Sequence, residues 1–272
     1  MIPIVIPVYG KLDHLGRCLA AIAKNSGRHD PQVILVDDLG PETIDADWLR
    51  SIDGYEQLTM PVVIRNRRNL GYTGATNAGI LHALWRLSGW RFLVLLNTDT
   101  EPLPGWLAAL DDTVEKAHGV GVIGAKLLKA DDPDEIIHGG TMDLLGTHKG
   151  GRESLGHCAK RSDEVWVTGA CLAITRECLQ DCGLLDRTYL HFCSDSDYCL
   201  TARARGYRVI YQPECRVLHG HSVTVRDAVK PEKIVRDQQH LLDKWGGNML
   251  QEWLKELPLG LYRGQPLSTT GG

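Results

Sequence analysis

Short apolar runs alternate with helix-like segments along the first half of the chain. The runs are rich in β-branched or leucine residues and lie at 4–6, 33–36, 62–64, 92–96 and 120–123. Between them, apolar residues recur at helical spacing, in segments at 12–22, 73–87 and 104–116. Because the runs are continuously apolar, we predict a mainly parallel α/β sheet that is covered on both faces.

The second half of the chain has a less regular pattern. Residues 131–163 are rich in Gly, Asp, His and Lys, which predicts a long loop region. The predicted elements beyond it are strands at 165–167, 172–174 and 207–211, and helices at 195–205 and 238–254, the last interrupted at Gly246 and Gly247. This half therefore resembles an α+β arrangement. We predict one domain over 1–257, with halves at 1–125 and 126–257, and a C-terminal tail at 258–272.

Composition and charge exclude several classes of function. The chain is 43% hydrophobic and 24% charged, which is an ordinary globular composition. Its net charge is −4, so no positive field would attract a nucleic acid or an anionic membrane. The run at 92–96 is far shorter than the ~20 residues of a membrane-spanning helix.

Location and cysteine usage follow from the same composition. The first residues lack the regions of a secretory signal, which predicts a cytoplasmic protein without a transmembrane segment. Eight cysteines occur without a Cys-x-x-Cys pair. In a reducing compartment we expect them to be free thiols rather than disulfides or zinc ligands.

Two clusters of acidic side chains follow predicted strands, and ligands bind beyond the carboxyl ends of strands in open parallel sheets. Asp37 and Asp38 can accept hydrogen bonds from a base or a ribose, although a turn or a helix cap also suits them. Asp99 follows the strongest apolar run, where a hard cation and a diphosphate could both be reached. A loop that caps the next helix is the alternative there.

Two later motifs carry candidate chemistry. Residues 194–197 (SDSD) open a predicted helix, where acidic side chains also suit the helix dipole. His219 and His221 follow an apolar segment, and imidazole is a common ligand of transition metals. Each motif taken alone is also compatible with an ordinary structural role.

Two further features are interpreted conservatively. Residues 119–124 have the spacing of a dinucleotide fingerprint, but they follow a helix and enter a strand, the reverse of the required order. Arg65, Arg67 and Arg68 form a basic cluster without a longer basic or aromatic stripe. This cluster fits a diphosphate better than a nucleic acid, and a solvated loop is the alternative.

Taken together, five segments resemble the family 2 glycosyltransferases, the large inverting group with the GT-A fold. The segments are 6–9 (IPVY), 36–38 (VDD), 69–79 (NLGYTGATNAG), 95–99 (LLNTD) and 194–207 (SDSDYCLTARARGY). The match extends from about Ile2 to Trp245. It implies a Rossmann-like nucleotide-sugar-binding half at 1–125, an acceptor and catalytic-base half at 126–257, and a rhamnosyltransferase-like branch as one option.

The resemblance also assigns roles to particular residues. It implies that Asp195 takes the proton of the acceptor hydroxyl in a single displacement that inverts the anomeric centre. It implies Mn²⁺ or Mg²⁺ at Asp99 and His219, with His221 as the alternative to His219. The donor contacts that it implies are Pro7, Tyr9, Asp37, Asp38, Asn69, Gly71, Asn77, Asn97 and Thr98, with Asp38 the main base or ribose contact and Asp37 its alternative.

The implied partners are a nucleoside-diphosphate sugar as donor and a saccharide, lipid-linked or other hydroxyl compound as acceptor, reached from the cytoplasmic side or the inner membrane face. Three positions depart from the family pattern: Ser194 replaces an acidic residue, Asn97 comes first in the metal motif, and residues 39–41 (LGP) replace a small polar turn. A non-catalytic sugar-nucleotide-binding relative is therefore a second hypothesis. A nucleotidyltransferase would need a Gly-rich basic loop at 9–13, which the chain lacks.

Overall fold

The computed structural model describes residues 1–141, 148–189, 192–220 and 231–246. The strands are β1 (Ile2–Val8), β2 (Pro31–Asp37), β3 (Val62–Arg65), β4 (Phe92–Leu96), β5 (Thr100–Pro102), β6 (Val120–Lys129), β7 (Asp132–His138), β8 (Gly151–Arg152), β9 (Ser162–Asp163), β10 (Cys171–Thr175) and β11 (Arg208–His219). The helices are α1 (Leu12–Asn25), α2 (Ala46–Arg50), α3 (Gly71–Arg86), α4 (Trp106–Lys116), α5 (Arg176–Cys182), α6 (Ser194–Ala204) and α7 (Pro231–Trp245).

The strands form one sheet in the order β3-β2-β1-β4-β10-β6-β11-β5. β1, β2, β3 and β4 run parallel, β10 is antiparallel to both β4 and β6, and β11 runs parallel to β6. β5 closes the order as an antiparallel neighbour of β11. The predicted α/β class with a mainly parallel sheet is confirmed. The proposed boundary at 125/126 lies inside β6, so the two halves share this sheet.

Both faces of the sheet are covered by helices, as predicted. Along β1, Ile4 and Ile6 belong to the core beneath α1 and α4, whereas Val5 belongs to the core on the other face, beneath α3 and α6. This alternation follows from the two-residue period of a strand. At Gly79 of α3, an added Cβ would overlap Val5, so glycine lets the helix lie directly against the sheet.

The prediction of a long loop over 131–163 is wrong. β7 pairs antiparallel with the end of β6, and β8 pairs with β7. In β7 only Ile136 and His138 are buried. The hydrophobic pattern is therefore too weak to indicate a strand, and pairing with β6 determines the conformation instead.

The predicted strand at 165–167 is also wrong. Val165, Trp166 and Val167 are buried in the core but lie outside the β-ladders. A short apolar run indicates burial and does not by itself distinguish a strand from a buried connection. Strand β11 is longer than predicted and passes a bulge between Gln212 and Arg216.

The terminal helix α7 begins at Pro231, seven residues before its predicted start, and ends at Trp245. The part of the prediction beyond residue 246, the 258–272 tail and His221 lie outside the described residues. All eight cysteines are free, as predicted, and five of them are buried. In the part of the chain that the structure describes, no helix is both long and apolar enough to cross a membrane.

Candidate active site

The candidate residues meet at one edge of the sheet, where the parallel strands end. Asp37 closes β2 opposite Val8 of β1 and Arg65 of β3. Asn97 and Asp99 follow β4, and His219 ends β11. Because the carboxyl ends of parallel strands share an edge, segments far apart in sequence become neighbours.

Asp99 and His219 form a close pair at this edge. Their Oδ1 and Nε2 atoms lie 3.4 Å apart, and both side chains are largely buried. The pairing of β5 with β11 places Thr100 opposite His219, and Gly220 donates its N–H to the Asp99 carbonyl at 2.8 Å. Backbone contacts on both sides therefore hold the two side chains together.

The Asp99 carboxyl is kept in its ionised form. Burial raises its pKa, but the hydrogen bond and positive charge of His219, its own backbone N–H and the charge of His14 together bring the pKa below the usual value. A buried carboxylate held in this way is a suitable cation ligand. His14, on α1, was not singled out by the sequence.

The spacing of Asp99 and His219 suits a divalent ion. Two ligand atoms bound to one ion at about 2.1 Å lie about 3.0 Å apart or more, so the 3.4 Å between Asp99 and His219 is compatible with shared coordination. Within the described residues, no group of three or more His, Cys, Asp or Glu side chains could hold a metal. The pair thus fits an ion that takes its remaining ligands from a diphosphate and water.

Asp195 lies in the first turn of α6, and its position is fixed from outside that helix. Its Oδ2 accepts the N–H of Gly169 at 2.6 Å, and its Oδ1 accepts the N–H of Ser196 at 2.9 Å. The neighbouring Ala170 accepts the N–H of Asn97 at 3.0 Å. This chain of contacts links Asp195 to the end of β4.

Tyr72 joins the same junction from α3. Its hydroxyl donates to the Gly169 carbonyl at 3.3 Å. Burial and the charge of Asp195 raise the pKa of Tyr72, so the phenol keeps its proton. We call Tyr72, Asn97, Gly169, Ala170 and Asp195 the Gly169 junction.

The sequence did not indicate Gly169. It precedes β10, and the amino end of an antiparallel strand lies at the same edge as the carboxyl ends of its parallel neighbours. The apolar pattern of β10 contains no signal of strand direction, so this position could not be recognised. Tyr72 could have been found, because it lies inside the 69–79 motif.

Asp37 and Asp38 are buried and already engaged. Asp37 accepts the N–H of Gly40 at 2.9 Å and an Arg65 N–H at 2.6 Å.

Asp38 accepts the N–H groups of Leu70 and Gly71, each at 2.8 Å, and the Asn66 amide at 2.7 Å. These contacts shape the 65–71 turn rather than leaving a free carboxylate.

Asn77 has a structural position as well. It is 4% exposed, and its amide donates to the Leu185 carbonyl at 2.8 Å and accepts the Leu185 N–H at 3.0 Å. Asn69 is exposed and accepts the N–H of Gly71 at 3.0 Å. The 69–79 motif thus fixes the backbone of its own turn and the packing of α3.

The remaining donor candidates are more accessible. Tyr9 is 58% exposed at the end of β1. Pro7, Asn97 and Thr98 are partly buried. Gly71 adopts φ 72°, a left-handed conformation that favours glycine at the start of α3.

The end of β7 lies near His219 at the same edge. His138 is buried, and burial together with the charges of His148, Lys149 and His219 lowers its pKa well below the usual value. Beside it, the fully buried Glu164 accepts Lys149 at 2.7 Å. This ion pair joins Lys149 to the segment that leads into the buried run at 165–167.

Comparison with known proteins identifies the family. Residues 2–238 match the family described as glycosyltransferase like family 2, and the chain belongs to that family. It is similar to protein y4gI of Sinorhizobium fredii (strain NBRC 101917 / NGR234), at 29% identity over 87% of this chain and 26% of that protein. It is 28% identical to the O-antigen biosynthesis protein RfbC of Myxococcus xanthus over 52% of this chain and 12% of RfbC.

The structural comparison defines the fold. The crystal structure of GalNAc-T7 with UDP, GalNAc and Mn²⁺ matches 93% of this chain and 50% of that chain, with a TM-score of 0.69 and 17% identity. The predicted GT-A fold is therefore confirmed. The chain spans about a quarter of y4gI and about half of GalNAc-T7.

Proposed function

We propose that this chain is an inverting, metal-dependent glycosyltransferase that moves a sugar from a nucleoside diphosphate to an acceptor hydroxyl. The observation that carries the proposal is the joint placement, at one sheet edge, of the Asp99 and His219 pair and of Asp195. Family membership and the UDP and Mn²⁺ of GalNAc-T7 support it. The cytoplasmic location stays a prediction.

Asp195 is the proposed general base. Each of its oxygens accepts one backbone hydrogen bond and retains a lone pair for the acceptor hydroxyl. The hydroxyl proton passes to Asp195 as the acceptor oxygen bonds to the anomeric carbon. The bond from that carbon to the diphosphate breaks on the opposite face, which inverts the centre.

Asp197, the other carboxylate of the motif, is a poor candidate for this role. Its side chain is 3% exposed and carries an ion pair with Lys244 at 2.9 Å. It also accepts the Trp245 indole N–H at 2.7 Å and the Tyr189 hydroxyl at 3.1 Å. A carboxylate occupied on all sides cannot receive a proton from substrate without losing buried partners.

Asp99 and His219 would hold Mn²⁺ or Mg²⁺ together with the donor diphosphate. When bound, the ion neutralises charge that develops on the leaving diphosphate. The exposed Tyr9 ring at the end of β1 offers a surface for the nucleotide base, and the half-exposed Arg65 lies near the 65–71 turn. The role of RfbC in O-antigen biosynthesis supports a saccharide or lipid-linked saccharide as acceptor.

The first test is donor binding. The unfolding midpoint of the protein is measured with UDP-, GDP- and dTDP-sugars, with and without Mn²⁺. A donor at 100 times its Kd adds about 2.7 kcal/mol, which raises the midpoint of a protein of this size by about 5–10 °C. We expect a shift with one nucleotide, only when Mn²⁺ is present, and no such shift in Asp99→Asn.

Asp53→Asn is the matched control, because Asp53 is exposed and distant in sequence from every candidate residue. Turnover is then followed as release of nucleoside diphosphate with alkyl glycosides as acceptors. A metal-independent shift, or one that survives Asp99→Asn, contradicts the metal assignment. Binding without turnover for any acceptor would favour the non-catalytic relative.

A further inference from the structure

Helix α7 contacts the segment that carries Asp195 at several points. Near its end, Lys244 and Trp245 both reach the buried carboxylate of Asp197. About two turns earlier, Arg236 donates to the Thr188 carbonyl at 2.9 Å. Asp237 accepts the N–H of Phe192 at 3.2 Å. These contacts flank Asp195 on both sides in the sequence.

The segment that α7 contacts is strained. Cys193, which precedes α6, has φ 62°, a left-handed conformation that is unfavourable for a side-chain-bearing residue. Such a conformation persists only where surrounding contacts impose it. The Asp237 contact lies on the residue before Cys193, and the N–H of Asp197 bonds to the Cys193 carbonyl at 2.8 Å.

The charge on Asp197 also depends on α7. Burial lowers the pKa of Lys244, but hydrogen bonds to and the charges of Asp197 and Asp186 raise it above the usual value, so Lys244 stays protonated. The Lys244 Nζ also lies 3.1 Å from Asp186 Oδ2, so this ion pair connects α7 to the chain upstream of Asp195. Without Lys244, Asp197 would be a buried charge whose remaining partners are neutral hydroxyl and N–H donors.

We infer that α7 is a brace that holds the first turn of α6, and that Lys244 and Trp245 are positioning residues for Asp195. This inference rests on the proposed function for its catalytic consequence. The brace fixes Asp197 and the turn at Cys193. Asp195 lies between these two positions, so its carboxylate stays hydrogen-bonded to the Gly169 N–H. A displacement of about 1 Å at a reacting group can reduce turnover by about 100-fold.

The test uses the full chain with Lys244→Met, which keeps the side-chain length and removes the charge, and Trp245→Phe, which keeps a smaller aromatic ring and removes the indole N–H. Lys233→Met, at an exposed position of α7, is the matched control. Two readouts are taken. They are the split between kcat and the donor KM, and hydrogen exchange of the backbone amides of residues 194–200 relative to those of β1.

We expect both variants to lose about 10-fold or more in kcat, with donor KM and the metal-dependent thermal shift within about twofold of wild type. Exchange at 194–200 should accelerate about 10-fold or more while β1 is unchanged. The control should match wild type in both readouts.

Wild-type exchange at 194–200 in both variants would overturn the brace. Faster exchange with unchanged kcat would overturn the positioning role of Lys244 and Trp245. Equal acceleration in β1 would mean general destabilisation and would also overturn it. If Lys244→Met does not fold, Trp245→Phe decides alone, because it leaves the ion pair in place. Absence of transfer by the wild-type protein would contradict the proposed function, whereas the exchange readout would still decide whether the brace exists.

Discussion

The 65–71 turn and the Gly169 junction use polar residues in different ways. In the turn, motif residues bond to one another: Asp38 accepts the N–H groups of Leu70 and Gly71, and Asn69 accepts that of Gly71. In the junction, Asp195 accepts the N–H of Gly169, which lies outside the motifs, and α7 contacts Phe192 and Asp197 on either side of it. Contacts between motif residues thus build the turn, whereas residues outside the motifs hold the proposed base.

The largest expected effect is on turnover, and it tests the proposed general base. Asp195→Asn keeps the size and the Gly169 contact but cannot take a proton, so kcat should fall about 100- to 10,000-fold. The metal-dependent donor shift should persist, because the Asp99 and His219 pair is untouched. Turnover is measured as nucleoside diphosphate release.

Asp181→Asn is the control for that substitution, since Asp181 is a half-exposed partner of Arg205 on a different helix. The kcat of Asp181→Asn should equal that of the wild-type protein. Asp195→Asn that retains more than a few per cent of wild-type kcat would remove Asp195 from the base role.

The second effect is on stability, and it tests whether the 69–79 motif has a structural role. Asn77→Ala leaves the buried N–H and carbonyl of Leu185 without partners, which should lower the free energy of unfolding by about 2–4 kcal/mol. Asn69→Ala removes one exposed contact and should cost about 1 kcal/mol or less. Urea unfolding compares the two directly.

The folded fraction of Asn77→Ala should still bind donor with wild-type affinity. A loss of donor affinity without a loss of stability would instead place Asn77 in the donor site. The contrast between the two asparagines would then disappear.

The smallest expected effect is also on turnover, and it tests how closely the Gly169 junction must be packed. A Cβ at Gly169 would lie 3.0 Å from the Tyr72 hydroxyl oxygen and 3.2 Å from the Asp195 Cβ. These contacts are tight, so Gly169→Ala should shift both side chains by a few tenths of an ångström and reduce kcat by about 10-fold. Donor KM should stay within about twofold.

Gly16→Ala in α1 is the matched control, because its nearest contact would be 4.0 Å from Trp48. It should leave kcat unchanged and stabilise the helix slightly. Wild-type kcat in Gly169→Ala would mean that the proposed base tolerates movement at the junction.

Much of the fold could be predicted from the sequence, because continuous apolar runs and helical spacing report burial directly. The strands at 33–36 and 92–96 and helix α1 follow from this pattern. The strand β7 did not, since it fully buries only two of its seven residues and is stabilised by its partner β6. The segment 165–167 was predicted as a strand because it is apolar, but it is a buried connection outside the β-ladders.

The sequence by itself determined the family, the sheet and the identity of Asp99, His219 and Asp195 as candidates. It did so because strand ends and motif spacing are local properties. Only the tertiary structure decided that β10 runs antiparallel, that Gly169 therefore meets Asp195, and that α7 covers Asp197. These contacts join residues 26 and 48 positions apart, and no local pattern records which distant segments pack together.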